Sequence, residues 1–241
     1  DLSPQAPLQL GHRRLSIIDL SSAADQPFVS DGLHLIYNGE LYNYRELRDV
    51  LRGKGVRFRT ESDTEVVLEC WRAWGTAGLS RLRGMFAFAI FDERWGSLTL
   101  VRDPLGIKPL YVLPRGGGVV FASELKALVS AVGPELSIDP AGLVASTLFY
   151  FLPEEQSAIR EVYKLPSGSW AEWRLDGSTR SGRYWDPPSF SCHPPSRGTR
   201  TYSGSSSRGC RLAGPRRWSF AIPPGSMMRS MDCCRLGTSH S

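Results

Sequence analysis

"MFAFAIFDERWGSLTLVRD", residues 85–103, is the most informative segment of this 241-residue sequence. Its β-forming residues predict two strands joined by a turn at Glu93 to Gly96. The first strand, MFAFAIF, is apolar without polar alternation, so both of its faces should be covered. The next segment, PLYVLPRGGGVVFAS (109–123), predicts two more strands joined through Gly116 to Gly118. The centre of the protein is therefore expected to be β-sheet.

Helical segments flank these strands along the chain. One helix is expected to begin at Asn43, with Glu46 as its capping-box partner, and another at Ser62, with Glu65 in the same position. Two further helical segments, SELKALVSAVG (123–133) and SIDPAGLVASTLF (137–149), precede a final predicted hairpin. Helices and strands do not alternate as strict βαβ units. This order predicts the α+β class, with antiparallel sheets covered on both sides by helices.

The composition changes abruptly after Asp186. In residues 187–241, Ser, Arg, Pro and Gly account for 33 of 55 residues, without an amphipathic period. Such a segment cannot bury enough apolar surface to offset its ordering entropy. We therefore predict a folded body, residues 1–186, and a low-complexity, disordered tail, residues 187–241. One hypothesis is that the tail is translated out of frame.

The formal net charge of +5 is unevenly distributed. The tail carries eight Arg and one acidic residue, whereas the body is slightly negative, so the basic isoelectric point does not indicate nucleic-acid binding. No apolar run approaches the roughly 20 residues of a membrane span. The body contains one cysteine, Cys70, and no cysteine–histidine spacing typical of zinc. These features predict a cytoplasmic protein that binds no metal, nucleic acid or membrane.

A second informative segment, YNGELYNYRELR (37–48), begins at the end of the predicted strand LHLIY (33–37). Asn-Gly after a strand is a strong signal for a type I′ hairpin turn. The residues Asn38, Gly39 and Glu40 also offer an amide, a backbone N–H and a carboxylate to a ligand. Spacing alone leaves both interpretations open, because a turn exposes its N–H groups.

Five motifs follow one another along the body. They are GHRRLSIIDLS (11–21), YNGELYNYRELR (37–48), SDTEVVL (62–68), GMFAFAIFDERWGSLTLVRDPLGIKPLY (84–111) and FASELKAL (121–128). Together they resemble the glutaminase domain of glutamine-hydrolysing asparagine synthetases, a class II glutamine amidotransferase, over about residues 8–186. The resemblance implies a four-layer αββα sandwich of two antiparallel sheets, of the N-terminal-nucleophile hydrolase type. In that family a cysteine thiolate frees ammonia from glutamine.

The resemblance assigns roles to residues of three motifs. Asn38 and Gly39 match the oxyanion hole, in which a side-chain amide and a backbone N–H stabilise the developing charge. Arg14 matches the arginine that binds the α-carboxylate of glutamine, as suits a bidentate guanidinium. Glu40 and Asp63 match the residues that hold the α-ammonium, although a carboxylate at Asp63 would also favour a helix N-terminus. The expected wall of the same site is Leu15, Ser16, Ile17 and Ile18.

The family's nucleophile and its ATP-binding loop have no counterpart in the sequence. Cys70 lies in a predicted helix and has no free α-amino group to serve as a base, and SGSSSRG (203–209) does not match SGG-x-D-S. We therefore expect a glutaminase domain truncated at both ends and inactive as written. The resemblance implies L-glutamine as substrate. It confines ATP and Mg to a synthetase domain of the same parent chain, so no cofactor is expected in this fragment.

Two alternatives stay open at this stage. One is a non-hydrolytic, amidotransferase-like binding or structural domain, and the other is an amidotransferase whose ammonia acceptor is not aspartate. The loop RDPLGIKPLY (102–111) is interpreted as structural rather than catalytic. A homodimer is also left open.

Overall fold

A computed structural model describes residues 8–13, 19, 21–149, 152 and 155–186, and the backbone of residues 234–236. In this part of the chain, eleven strands form two sheets in which every pairing is antiparallel. None of the described helices is long and apolar enough to cross a membrane. The antiparallel α+β class that the sequence predicts is therefore confirmed.

The larger sheet has six strands in the order β10-β9-β5-β4-β3-β2. Their bounds, in chain order, are β2 Phe28–Ser30, β3 Leu33–Leu41, β4 Gly84–Asp92, β5 Ser97–Arg102, β9 Ser169–Arg174 and β10 Thr179–Arg183. The smaller sheet has five strands in the order β1-β11-β7-β6-β8. These are β1 Leu8–Gln9, β6 Tyr111–Arg115, β7 Gly118–Ala122, β8 Tyr163–Lys164 and β11 Cys234–Leu236.

Strands β4 and β5 are the predicted central hairpin, paired from Ala87↔Arg102 to Asp92↔Ser97. Along β4, Phe86 and Phe88 point into one core, while Ala87 packs into another on the opposite face. This strand is covered on both faces, as its unbroken apolar sequence predicts.

Four α-helices lie in the described part of the chain: α1 Tyr44–Gly53, α2 Asp63–Trp74, α3 Leu125–Val132 and α4 Pro140–Phe149. Short 3₁₀ helices span Ser22–Ala24 and Gly75–Arg81. Helices α1 and α2 share a core with the larger sheet, through residues such as Leu51, Leu68 and Phe88. A second core, containing Ile36 and Phe121, lies between the sheets. A third joins α3 to the smaller sheet, so the predicted four-layer αββα sandwich is confirmed.

The Asn-Gly pair does not form a turn, so that interpretation is wrong. Strand β3 continues through Asn38, Gly39 and Glu40 to Leu41, paired with β4 throughout. The hairpin turn instead lies between β2 and β3, at Asp31 and Gly32, whose φ angles of 46° and 74° are both positive. Asp-Gly is an equally good type I′ pair, and here it is the one that the chain uses.

The two predicted helix caps have different outcomes. The Ser62 side chain accepts a hydrogen bond from the Thr64 N–H at 3.2 Å, which confirms it as the cap of α2. The capping box at Asn43 is wrong, because its side chain makes no capping bond to α1. It binds instead to the Arg81 carbonyl and the Arg83 N–H, which fixes the chain just before β4.

Most of the tail, residues 187–241, lies outside the described residues. The structure therefore does not test the prediction that the tail is disordered. Cys234–Leu236 differ, since they form β11 between β1 and β7. The prediction that residues 187–241 are disordered stays a prediction.

Candidate active site

Strand β3 presents alternate side chains to two different layers. Tyr37 and Leu41 enter the core shared with α1 and α2, whereas Ile36 enters the core between the sheets. Asn38 lies two residues after Ile36, so its side chain is on the same face of the strand and faces the smaller sheet. There its Nδ2 donates to the Oγ of Ser123, just after β7, at 3.2 Å. This bond bridges the two sheets.

The backbone N–H groups of alternate β3 residues point away from β4. The Tyr37 N–H donates to Gln26 Oε1 at 2.6 Å, and the Leu41 N–H donates to Asp63 Oδ2 at 3.0 Å. Gly39 lies between these two residues, so its N–H also points away from β4. It is beyond the end of β2, which stops at Phe28. Among the described residues this N–H has no hydrogen-bond acceptor. It is therefore available to a ligand, directly beside the Asn38 amide.

Residue 39 has to be glycine because strands β3 and β4 approach closely here. A Cβ on Gly39 would lie 2.2 Å from the Met85 carbonyl oxygen and 2.7 Å from the Phe86 Cα. The same holds across the pair, where a Cβ on Gly84 would lie 2.1 Å from the Glu40 carbonyl oxygen. This glycine therefore serves strand contact, because its φ is not in the left-handed region.

Asp63 ties the first turn of α2 to the end of β3. It is 5% exposed, and its Oδ2 accepts hydrogen bonds from the Tyr37 hydroxyl and the Leu41 N–H, both at 3.0 Å. Its Oδ1 accepts no hydrogen bond from the described residues and is left for another donor. The Glu40 side chain is exposed at the same end of the strand.

Tyr37 lies close enough to both carboxylates for their charges to affect its pKa. Burial raises the pKa of Tyr37 well above its usual value, and the negative charges of Asp63 and then Glu40 raise it further. A site flanked by two carboxylates favours a cation such as an ammonium group.

The loop before Asp63 is held from two directions. Arg48, which is buried, donates to the carbonyls of Thr60 and Ser62 at 2.8 and 3.1 Å. On the other side, the buried Glu65 carboxylate accepts hydrogen bonds from the backbone of Arg59 and Thr60. Asp63 therefore begins its helix from a loop with little freedom to move.

The same loop also binds the segment that precedes β2. Asp19, in the left-handed region with φ 57°, accepts the Glu61 N–H on its Oδ2 at 2.9 Å. Its other oxygen accepts the Ser21 N–H, which forms a local turn. Gln26 adds a second link, since it also donates to the Thr64 hydroxyl at 3.4 Å. The chain that follows Arg14–Ile18 thus lies beside the start of α2.

The RDPLGIKPLY loop is a tightly bonded support. The buried Asp103 carboxylate accepts the backbone N–H groups of Leu105, Ile107 and Lys108. Arg102 donates to the carbonyls of Lys108, Leu165 and Gly106. The Asp103 N–H donates to the carbonyl of Phe86, which pairs with Gly39, and the Phe86 N–H donates to the Asp103 carboxylate. These bonds agree with the structural role expected for the loop.

Cys70 is not placed to act as a nucleophile. It lies on α2, is 2% exposed and packs in the core between α2 and the larger sheet. Burial, together with the nearby Glu69 charge, raises the pKa of its thiol to about 12. Among the described residues, no group of three or more His, Cys, Asp or Glu is arranged to hold a metal ion.

The structure gathers part of the predicted site. Asn38, Gly39, Glu40 and Asp63 all lie around the last four residues of β3, while Arg14, Leu15, Ser16, Ile17 and Ile18 lie outside the described residues. Sequence reasoning missed the contacts of Gln26 and Ser123. Ser123 is part of the FASELKAL motif, but no local pattern shows that its hydroxyl reaches a strand of the other sheet.

Comparison with known proteins gives a consistent result. A family model described as a glutamine amidotransferase domain matches residues 3–185. A putative glutamine-hydrolysing asparagine synthetase of Mycobacterium tuberculosis is 43% identical over 175 residues, covering 69% of this chain and 27% of that protein. Asparagine synthetase [glutamine-hydrolyzing] 1 of Bacillus subtilis is 42% identical over 176 residues, covering 73% and 28%. The chain thus spans about a quarter of the length of these relatives.

Among solved structures, the glutamine phosphoribosylpyrophosphate amidotransferase of B. subtilis is similar, with a TM-score of 0.46 and 25% sequence identity. The match covers 68% of this chain and 32% of that one.

Proposed function

This chain belongs to the glutamine amidotransferase domain family, and on that premise we propose that it binds L-glutamine for release of the amide nitrogen. The observation that carries the proposal is the pair of donors on β3. The Gly39 N–H has no acceptor among the described residues, and the Asn38 amide lies directly beside it. Two adjacent, preorganised donors suit an oxygen that gains negative charge.

In this proposal each end of glutamine meets a different part of the site. Asp63 Oδ1 and the exposed Glu40 carboxylate bind the α-ammonium, next to the Leu41 end of β3. Arg14 binds the α-carboxylate through its guanidinium, and Leu15, Ser16, Ile17 and Ile18 form the wall. The side-chain amide oxygen then faces Asn38 and Gly39.

The proposed chemistry is acyl transfer through a thioester. A thiolate attacks the amide carbon, and the negative charge that moves to the oxygen is stabilised by the Asn38 and Gly39 N–H groups. The C–N bond breaks as the nitrogen is protonated and leaves as ammonia, and water later hydrolyses the thioester to glutamate. The buried Cys70 cannot supply this thiolate. We therefore assign the nucleophile to the parent protein, and we propose that the chain as written binds glutamine without hydrolysing it.

The proposal extends to the parent protein. We propose an asparagine synthetase type, with a synthetase domain that uses ATP and Mg to activate aspartate and accepts the ammonia. A cytoplasmic location and a homodimer belong to the same proposal. A non-hydrolytic binding domain is not favoured, because the relatives at 42–43% identity are named as glutamine-hydrolysing.

Ligand titration by isothermal calorimetry tests the proposal without altering the protein. We expect L-glutamine to bind more tightly than 4-carbamoylbutanoate, which lacks the α-ammonium, by about tenfold or more, because charge-assisted hydrogen bonds to the carboxylates are lost. D-glutamine is the matched stereochemical control and should also bind weakly. Equal affinity for all three compounds would contradict the assigned ammonium site.

A further inference from the structure

The bond between Asn38 and Ser123 has a consequence for how the site works. Among the described residues, Ser123 Oγ is the one hydrogen-bond partner of the Asn38 side chain, at 3.2 Å. Nδ2 carries two hydrogens, and an amide nitrogen can donate both. With one hydrogen directed to Ser123, the other remains for a ligand oxygen.

An asparagine amide can present the wrong atom. Its terminal torsion is broad and roughly twofold, so rotation by about 180° replaces the N–H donor by a carbonyl oxygen. A carbonyl oxygen would repel a developing oxyanion instead of stabilising it. An oxyanion hole that contains asparagine therefore needs a neighbour that fixes the amide orientation.

Ser123 is placed to fix that orientation. It is 4% exposed and lies between the end of β7, at Ala122, and the start of α3, at Leu125. Strand β7 is paired with β6 up to Tyr111↔Ala122, so the backbone that carries Ser123 is anchored on the smaller sheet. Asn38 is anchored on β3 of the larger sheet by its pairing with Ala87. The bond therefore joins two rigid supports.

We propose that Ser123 is a positioning residue, which holds the Asn38 amide so that its second Nδ2 hydrogen is available for the glutamine oxyanion. Ser123 acts through Asn38 and does not itself bind substrate. The inference rests on the proposed function for the role of Asn38.

The sequence allows a direct spectroscopic test on this chain. It contains two asparagines, Asn38 and Asn43, so selective ¹⁵N-asparagine labelling gives two side-chain NH₂ pairs. Asn43 is an internal control, because its amide binds the backbone of Arg81 and Arg83 and makes no bond to Ser123. The Asn38→Asp variant assigns the signals.

We expect Ser123→Ala to shift the Asn38 pair and to speed its hydrogen exchange at least about threefold, as expected for loss of a hydrogen bond worth about 1 kcal/mol, without moving the Asn43 pair. Ser157→Ala is the matched control, since Ser157 is also 4% exposed but bonds to the Ile159 backbone. Asn38 signals that are identical in Ser123→Ala and in the wild type would overturn the inference.

A double-mutant cycle in the proposed parent protein, which supplies the nucleophile, separates positioning from general stability. We expect Ser123→Ala to lower kcat for glutamate release about 10-fold to 100-fold, with KM within about twofold. In an Asn38→Ala background, Ser123→Ala should not lower kcat further, because the amide that Ser123 positions is absent.

The outcomes distinguish the two proposals. If Asn38→Ala lowers kcat but Ser123→Ala does not, or if Ser123→Ala acts equally in both backgrounds, the positioning role is wrong and the proposed function stands. If Asn38→Ala leaves kcat unchanged, the oxyanion role of Asn38 fails, and the inference fails with it.

Discussion

On the helix side of β3, Asp63 is held by Tyr37 and Leu41 and follows a loop that Arg48 and Glu65 both bind. On the inter-sheet side, the Asn38 amide has a single described partner, Ser123. The Asp63 carboxylate, proposed to bind the permanent charge of the ammonium, is thus fixed by several hydrogen bonds. The Asn38 amide, proposed to stabilise the transient oxyanion, is fixed by one. Loss of one hydrogen bond should change the orientation of the Asp63 carboxylate little and that of the Asn38 amide greatly.

The largest expected effect lies at Gly39, between these two sides. Gly39→Ala would place a Cβ 2.2 Å from the Met85 carbonyl oxygen and force β3 away from β4. We expect it to lower the free energy of unfolding by at least about 3 kcal/mol, measured by urea denaturation. In Gly53→Ala the new methyl group meets nothing within 4 Å, so this control should be neutral or slightly stabilising. A Gly39→Ala protein of wild-type stability would show that the strand contact is not as described.

The next prediction compares the buried Asp63 carboxylate with the exposed Glu40 carboxylate. Asp63→Ala leaves the Tyr37 hydroxyl and the Leu41 N–H without their acceptor, so we expect a loss of about 2–4 kcal/mol in chemical denaturation. Glu40→Ala removes an exposed carboxylate and should change stability by less than about 0.5 kcal/mol. Similar losses in both variants would contradict the distinction.

Tyr37→Phe removes one of the bonds to Asp63 and should cost about 1 kcal/mol at pH 7. It also tests the raised pKa of Tyr37. The unfolded tyrosine ionises near pH 10.0, while the folded one stays protonated, so its stabilising contribution is complete below that pH and is lost as pH rises further. Above pH 10 the wild type should therefore lose stability more steeply than the variant. Parallel stability profiles would count against the shift.

Among the substitutions that remove a buried hydrogen bond, Ser123→Ala should have the smallest effect on stability. It removes the hydrogen bond between the neutral Asn38 amide and Ser123 hydroxyl, so we expect a loss of about 1 kcal/mol or less in thermal or urea unfolding. The variant should then remain folded while its Asn38 amide loses its fixed orientation. A stability loss as large as that of Asp63→Ala would show that Ser123 holds the sheets together rather than positioning an amide.

The hairpin β4–β5 and the cap at Ser62 could be predicted because their signals are local. An unbroken apolar run indicates burial on both faces of a strand, and a serine before an apolar helical segment indicates an N-cap. Both depend on residues within a few positions of each other, so the sequence pattern is sufficient. The Glu65 half of the predicted capping box does not form, because its carboxylate accepts from Arg59 and Thr60.

The Asn-Gly pair at 38–39 shows where such local reasoning ends. Glycine is required either where the φ angle is positive or where another backbone approaches closely. A single sequence cannot distinguish these two requirements. Asp31-Gly32 takes the turn, and Gly39 meets Met85, 46 positions later in the sequence. Asn43 likewise binds Arg81 and Arg83 instead of capping its own helix. The Ser123 contact is of the same kind, since it depends on the stacking of two sheets.

The two glycines at the close approach of β3 and β4 also limit how the protein can respond to mutation. A side chain at Gly39 or at Gly84 would meet main-chain oxygens, those of Met85 and Glu40. Every residue carries that oxygen, so trimming a neighbouring side chain elsewhere cannot restore the lost space. A genetic screen for suppressors of substitutions at either glycine should therefore return true revertants, and not second-site changes in the opposing strand.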